Sequence, residues 1–233
     1  MDEVNITYNF HFPGGKVHRF PVKLDSHTLE LYEPKYISLP WTALDYQQCP
    51  HCPLDDTTHK DCPMALSLSK LSDFCDSCNS HDEVLIEVRT RERMVSQTTT
   101  VQRGLSSLLG LVLAVSGCPY THYLKPMARF HLPFASEEET IYRSVSMYVL
   151  AQFLLAKENQ ITDINLNGLK KAYENLQTVN SYMAKRIRQA FKRDPAINAV
   201  VLLDLLAKTL PYSIDESLQE IRHLFAFSYG VEI

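Results

Sequence analysis

Residues 83–116 read EVLIEVRTRERMVSQTTTVQRGLSSLLGLVLAVS, and the change of rhythm inside them decides the fold. Residues 83–90 and 93–100 alternate apolar and polar positions with β-branched enrichment, the period of strands with one buried face. They read as a hairpin or as one long bent strand. From Val101 the alternation stops, and an apolar helix is expected to run to Ser116, ended by Gly117.

Toward the N-terminus the same period of two returns. Residues 4–12, VNITYNFHF, alternate; Pro13-Gly14-Gly15 turns the chain, and KVHRFPV brings it back. A short strand is expected at residues 28–32, before Pro34 and Pro40 break the pattern. Residues 41–63 form a loop with one helical turn. Pro63 then opens a helix expected to continue to Cys75.

Toward the C-terminus the chain reads as helix throughout. Ser136 followed by Glu139 is a capping box for a helix to Lys157. Further helices are expected at residues 169–193, 195–209 and 215–225. Strands followed by helices make an α+β fold: a β-rich N-terminal part with a cysteine loop, then a mostly helical C-terminal half. Because the helix at 63–75 interrupts the β-rich part, residues 1–233 are expected to form a single intertwined domain, β-rich over 1–100 and helical over 101–233.

The 233 residues are 45% hydrophobic and carry a net charge of -4, which argues against a chain-wide nucleic-acid footprint. The opening MDEVNITYNF is acidic and alternating, unlike a signal or transit peptide. Leu105–Cys118 imitates a lipoprotein cleavage site but lies mid-chain, and its apolar run falls short of the roughly 20 residues of a spanning helix. Residues 141–156 are amphipathic. A cytoplasmic protein without a membrane span is the expectation. In that compartment clustered thiols favour metal or redox chemistry over structural disulfides.

Four of the six cysteines precede proline: Cys49, Cys52, Cys62 and Cys118. Proline holds the residue before it in extended backbone and turns the chain, so several such thiols can be aimed at one point. The first three follow C-x2-C-x9-C, and C-x2-C is the spacing of two thiolates on one tetrahedral ion. Cys118 is the expected fourth ligand, with His131 as the alternate. His51, His59 and the Cys75/Cys78 pair are further candidates. Zinc is the expected metal and an iron–sulfur cluster the alternative. Cys75 and Cys78 lack the proline context. They read as thiols on a helix surface, or as a separate C-x2-C redox pair.

Residues 116–134, SGCPYTHYLKPMARFHLPF, hold three prolines among large apolar side chains. Such a segment packs without being helix or central strand and can wall a site. Cys118, His131 and Glu139 would supply a nucleophile, a base and a carboxylate. The bland alternative pairs Arg129 with the glutamates and leaves His131 as a packing residue. Residues 169–193 carry Lys170, Lys171, Lys185, Arg186, Arg188, Lys192 and Arg193, a surface for nucleic acid or an acidic partner, or a solvated helix face.

CPHCPL, CPMA, TTTVQRGLSSLLG, SGCP and KPMARFHLPF together resemble an uncharacterised family of bacterial cytosolic proteins, a domain of unknown function. The resemblance runs from about Trp41 to Leu206 and implies no activity. The residues themselves support a metal-binding protein with structural zinc and a regulatory or scaffolding role. A thiol- or metal-dependent enzyme with its site at residues 116–139, or a nucleic-acid-associated regulator, is the alternative.

Overall fold

The computed structural model describes residues 3–32, 36–191 and 194–229. Pro34, Lys192 and Arg193 lie outside them. Four strands form one antiparallel sheet in the order β2-β1-β3-β4, with β1 Glu3–His11, β2 Val17–Asp25, β3 Glu83–Arg89 and β4 Met94–Thr100. Alternation sets its buried face. Ile6, Tyr8 and Phe10 of β1 and Val84, Ile86 and Val88 of β3 are all buried, as period-two side chains on one face must be. The two halves of the expected β-structure are thus hairpins, with β1 and β3 paired between them.

The strand expected at residues 28–32 does not form. Asp25 Oδ1 accepts from the His27 and Thr28 amides, Leu29 takes a positive φ of 55°, and only an isolated Leu24–Leu31 bridge remains. An aspartate side chain that mimics a backbone turn has displaced the strand ladder. The helix expected over 63–75 is also broken. It consists of α1 Pro63–Leu68, a 3-10 turn Ser69–Leu71, and α2 Ser72–Asp76. Ser69 Oγ bonds the Leu66 carbonyl and Ser72 Oγ the Ser69 carbonyl, the local competition that makes serine a poor helix interior.

Against the buried face of the sheet lies α3, Val101–Ala114. Its helix passes close to the strands at Gly104. A Cβ there would collide with Ile86 Cδ1 and stand 2.8 Å from Phe10 Cε1, both in fully buried side chains. At Gly110 a Cβ would meet Leu203 Cδ2 at an ordinary 3.7 Å. The same substitution should therefore act in opposite directions. Gly110→Ala is expected to stabilise by about 0.5–1 kcal/mol through helix propensity. Gly104→Ala should destabilise by about 1–2 kcal/mol as overpacking outweighs that gain. Two thermal melts shifting the same way would show that the helix does not approach the sheet there.

The helical part continues with a 3-10 turn Pro119–Leu124, α4 Lys125–Arg129, α5 Glu137–Lys157, α6 Asn167–Ala190 and α7 Pro195–Ile221. The capping box is present: Glu139 N donates to Ser136 Oγ and Ser136 N to Glu139 Oε2. The two last expected helices are one. The chain passes Pro211 and Asp215 without leaving α7, although an interior proline removes one helical hydrogen bond. α7 packs along α6 and α3, and that tertiary contact overrides the local break. One hydrophobic cluster links Ile6, Phe10 and Ile86 of the sheet to Leu105 of α3, Met183 of α6 and Val200 of α7. Among the described residues no single helix is long and apolar enough to cross a membrane. The bent pair Val101–Ala114 and Pro119–Arg129, angled at 111°, reaches that composition together. The leucines that give α3 this character lie in the core.

Candidate metal centre

Two of the Cys-Pro steps share one backbone device. Cys62 and Cys118 are each extended (φ -69°, ψ 117° and φ -65°, ψ 127°), and each is the N-cap of a helical turn that starts with its proline. A residue before proline is held in that region, and proline fits the first helical position. Gly117, at φ +86°, supplies the left-handed step that turns the chain from α3 into Cys118. Cys49 and Cys52 belong to a tight turn in which the Cys52 amide donates to the Cys49 carbonyl at 3.0 Å.

The loop that carries these two is closed at its base and tied to the helices. The Cys62 amide donates to the Thr42 carbonyl at 2.7 Å, and Thr42 Oγ1 bonds Asp61 Oδ1. Tyr120 donates its hydroxyl to the His51 carbonyl and lies against the His51 ring, with centroids 4.2 Å apart. Tyr46 donates to Gln189 of α6.

All four Cys-Pro thiols line one cavity of about 20 Å³, together with Met64, Tyr120, Met183 and Arg186. That is room for a single water-sized body. The four are half-buried. Burial, then Cys62 and Cys52, push the Cys49 thiol up to about 11, while the Arg186 charge pulls the other way. Burial likewise pushes Cys118 up to about 12; the Tyr120 amide opposes it, and Cys62, Cys49 and Cys52 add to it. The four thiols are therefore electrostatic neighbours. They do not form a closed ligand set: among the described residues no three His, Cys, Asp or Glu side chains are arranged to hold an ion. Neutral thiols have no mutual attraction that would draw them to the spacing of about 3.5–4 Å between ligands of one zinc.

Arg186 is the residue that charge counting misassigned. It was expected on a basic surface of residues 169–193, yet it is 2% exposed. Its Nη1 donates to the Trp41 and Ala43 carbonyls and its Nη2 to the Leu44 carbonyl, at 2.7–2.9 Å. Among the described residues no carboxylate is within ion-pair distance of it. The helical phase held the signal, because position 186 is two turns beyond buried Val179 and one turn beyond Met183. Of the other expected cations, Lys185 and Arg188 are exposed and Lys171 pairs with Glu174 at 2.9 Å. Of the aromatic residues between these cations, Tyr173 and Phe191 are buried in the core, while Tyr182 is half-buried with Lys185 over its ring.

His131, the alternate ligand, lies elsewhere. It borders a second, larger cavity of about 350 Å³ with Ser107, Arg143, Tyr173, Asn180 and Leu203. Tyr8 reaches from the sheet to bond His131 Nε2 at 2.5 Å and Ser107 Oγ at 2.8 Å. Burial, with the Arg143 charge behind it, pushes His131 down to about 3, so the imidazole is neutral at physiological pH. The Cys118–His131–Glu139 triad is not assembled. Cys118 and His131 line different cavities, and Glu139 caps a helix. Arg129 lies over the Phe130 ring and forms no ion pair with the glutamates among the described residues. His59 is exposed and bonds Thr58 Oγ1.

Cys75 and Cys78 are not on a helix surface. Both are buried in the core, Cys78 donating to the Phe74 carbonyl, and neither borders the cavity of the other four. Burial, with Cys78 and Asp76 adding to it, pushes the Cys75 thiol far above its ordinary range, which leaves little thiolate for redox exchange.

No curated protein and no solved structure matches the chain. Residues 6–226 match the family described as Domain of unknown function (DUF6901), and the chain belongs to that family.

Proposed function

We propose that the protein binds one metal ion, zinc before an iron–sulfur cluster, through Cys49, Cys52, Cys62 and Cys118, and that the ion serves a structural role in a scaffolding or regulatory protein. The observation that carries this reading is Arg186. A buried guanidinium with no carboxylate partner among the described residues borders the cavity that four thiols share. Burying an unpaired charge is costly. Four thiolates around one divalent ion leave the centre with two negative charges, and Arg186 then has its counter-charge. Metal binding supplies the attraction that neutral thiols lack, and the ligands lose their protons as it binds.

Elemental analysis of the purified protein, joined to a cobalt(II) titration, tests the proposal. About one zinc per chain in a colourless sample, and a tetrahedral thiolate spectrum with cobalt, is the expected result. A brown sample with iron and sulfide selects the cluster. A metal-free protein that takes up neither ion overturns the reading. The core thiols provide the internal comparison. Cys75→Ser/Cys78→Ser should keep the full metal content per folded chain while melting lower, because two hydroxyls replace buried thiols. Loss of metal in that variant would mean the ion sits on other cysteines.

A further inference from the structure

The larger cavity has its own polar logic, and it is independent of the metal. At about 350 Å³ it falls within the range of small-molecule sites. Its wall is mostly apolar, with Leu111, Met127, Leu132 and Leu203 among the lining side chains. Two of its polar residues stand out for what they lack.

Asn180, on α6, is 2% exposed and borders the cavity, yet its amide has no hydrogen-bond partner among the described residues. Buried side-chain amides are nearly always bonded, and each exception calls for an explanation. Arg143, on α5, donates from Nη2 to the Met127 and Phe130 carbonyls at 3.1 and 2.8 Å. Its other two nitrogens have no hydrogen-bond partner, and no carboxylate is within ion-pair distance, among the described residues. A hydrogen-bonded network lies beside these two. The Phe134 amide donates to Ser107 Oγ at 3.2 Å. Ser107 Oγ also bonds the Tyr8 hydroxyl, which bonds His131 Nε2.

We propose that this cavity binds a small organic carboxylate with an apolar body, its carboxylate held by Arg143 and Asn180. The lining decides the class. A half-buried guanidinium and an amide donor match a carboxylate's acceptors. The only other arginine of the lining, Arg103, is exposed to solvent, and the lining also holds the exposed Glu137. One half-buried cation in an apolar wall neutralises a single charge, which disfavours polyphosphates. A neutral apolar molecule would leave Asn180 unbonded.

Calorimetric titration of the full chain with octanoate, and separately with 1-octanol, tests this. Octanoate should bind one per chain and at least about tenfold more tightly than the alcohol, the scale of a charged hydrogen bond. Arg143→Met should bring octanoate to the level of octanol. That variant also frees two carbonyls, so Asn180→Leu is the safer partner: it breaks no bond within the protein and should weaken octanoate about fivefold to tenfold. Arg89→Met, on the exposed face of β3, should change nothing. Equal binding of acid and alcohol, no binding of either, or undiminished octanoate affinity in both cavity variants would overturn the proposal.

Discussion

Arg186→Met is expected to lower both the melting temperature and the metal affinity of the protein, and Arg186→Lys to separate the two effects. Arg186 donates to three carbonyls, of Trp41, Ala43 and Leu44, that form the base of the cysteine loop. Hydrogen bonds from a charged donor contribute about 1.5–3 kcal/mol each, and removing the donor leaves the carbonyls unsatisfied. The desolvation cost of the guanidinium offsets part of this, so a net loss of about 3 kcal/mol is reasonable, or about 6–12 °C in a chain of this size. Methionine keeps the packing stem and removes the charge. The thiolate centre then loses its counter-charge, and affinity should fall about tenfold, the usual scale for a residue behind the ligands. Lysine keeps the charge without the fork of five donors. It should retain most of the metal affinity and regain only part of the stability. Chelator competition gives the first quantity and thermal melts the second. A methionine variant that holds metal as tightly as the wild type would remove Arg186 from the metal argument and leave it as a strut for the loop.

The legible parts of the fold were those fixed by local periodicity. The alternation of residues 4–12 and 83–90 put Ile6, Tyr8, Phe10, Val84, Ile86 and Val88 on one face, and the sheet buries that face. Ser136 and Glu139 announced α5 from four residues. The misreadings arose where side chains or tertiary contacts compete with local rhythm. Asp25 replaced a strand with a turn, Ser69 and Ser72 divided a helix, and packing on α3 and α6 carried α7 past Pro211.

At the sites the division is similar. The shared Cys-Pro context sorted the cysteines, because proline acts on its immediate neighbour and so leaves a mark in sequence. The four so chosen do line one cavity, and Cys75 and Cys78 do not. Arg186 was hidden by counting charge along α6 without asking which phase it occupies. The larger cavity had no local signature. Its polar groups include Ser107, His131, Arg143 and Asn180, from segments far apart in the chain that only the tertiary packing brings together.

Cys118→Ser should produce the largest stability loss among single cysteine changes, and only in the presence of metal. Cys49, Cys52 and Cys62 come from the loop before α1, while Cys118 follows α3 on the helical side. One ion would therefore close the chain between residues 62 and 118, and binding that occurs only in the folded state adds its free energy to folding. Zinc held by three thiolates and a poor hydroxyl ligand loses much of that energy. A loss of about 3–5 kcal/mol corresponds to a melting temperature lower by about 6–20 °C. Chelation of the wild-type protein should reproduce the drop, and chelation of the variant should add little. The apo proteins should differ by far less, since serine at this half-buried position costs only a modest transfer term. Melts of both proteins, with and without chelator, separate the two contributions. If chelator leaves the wild type unchanged while Cys118→Ser still melts low, the thiol acts through packing against the core and the ion does not join the loop to the helices.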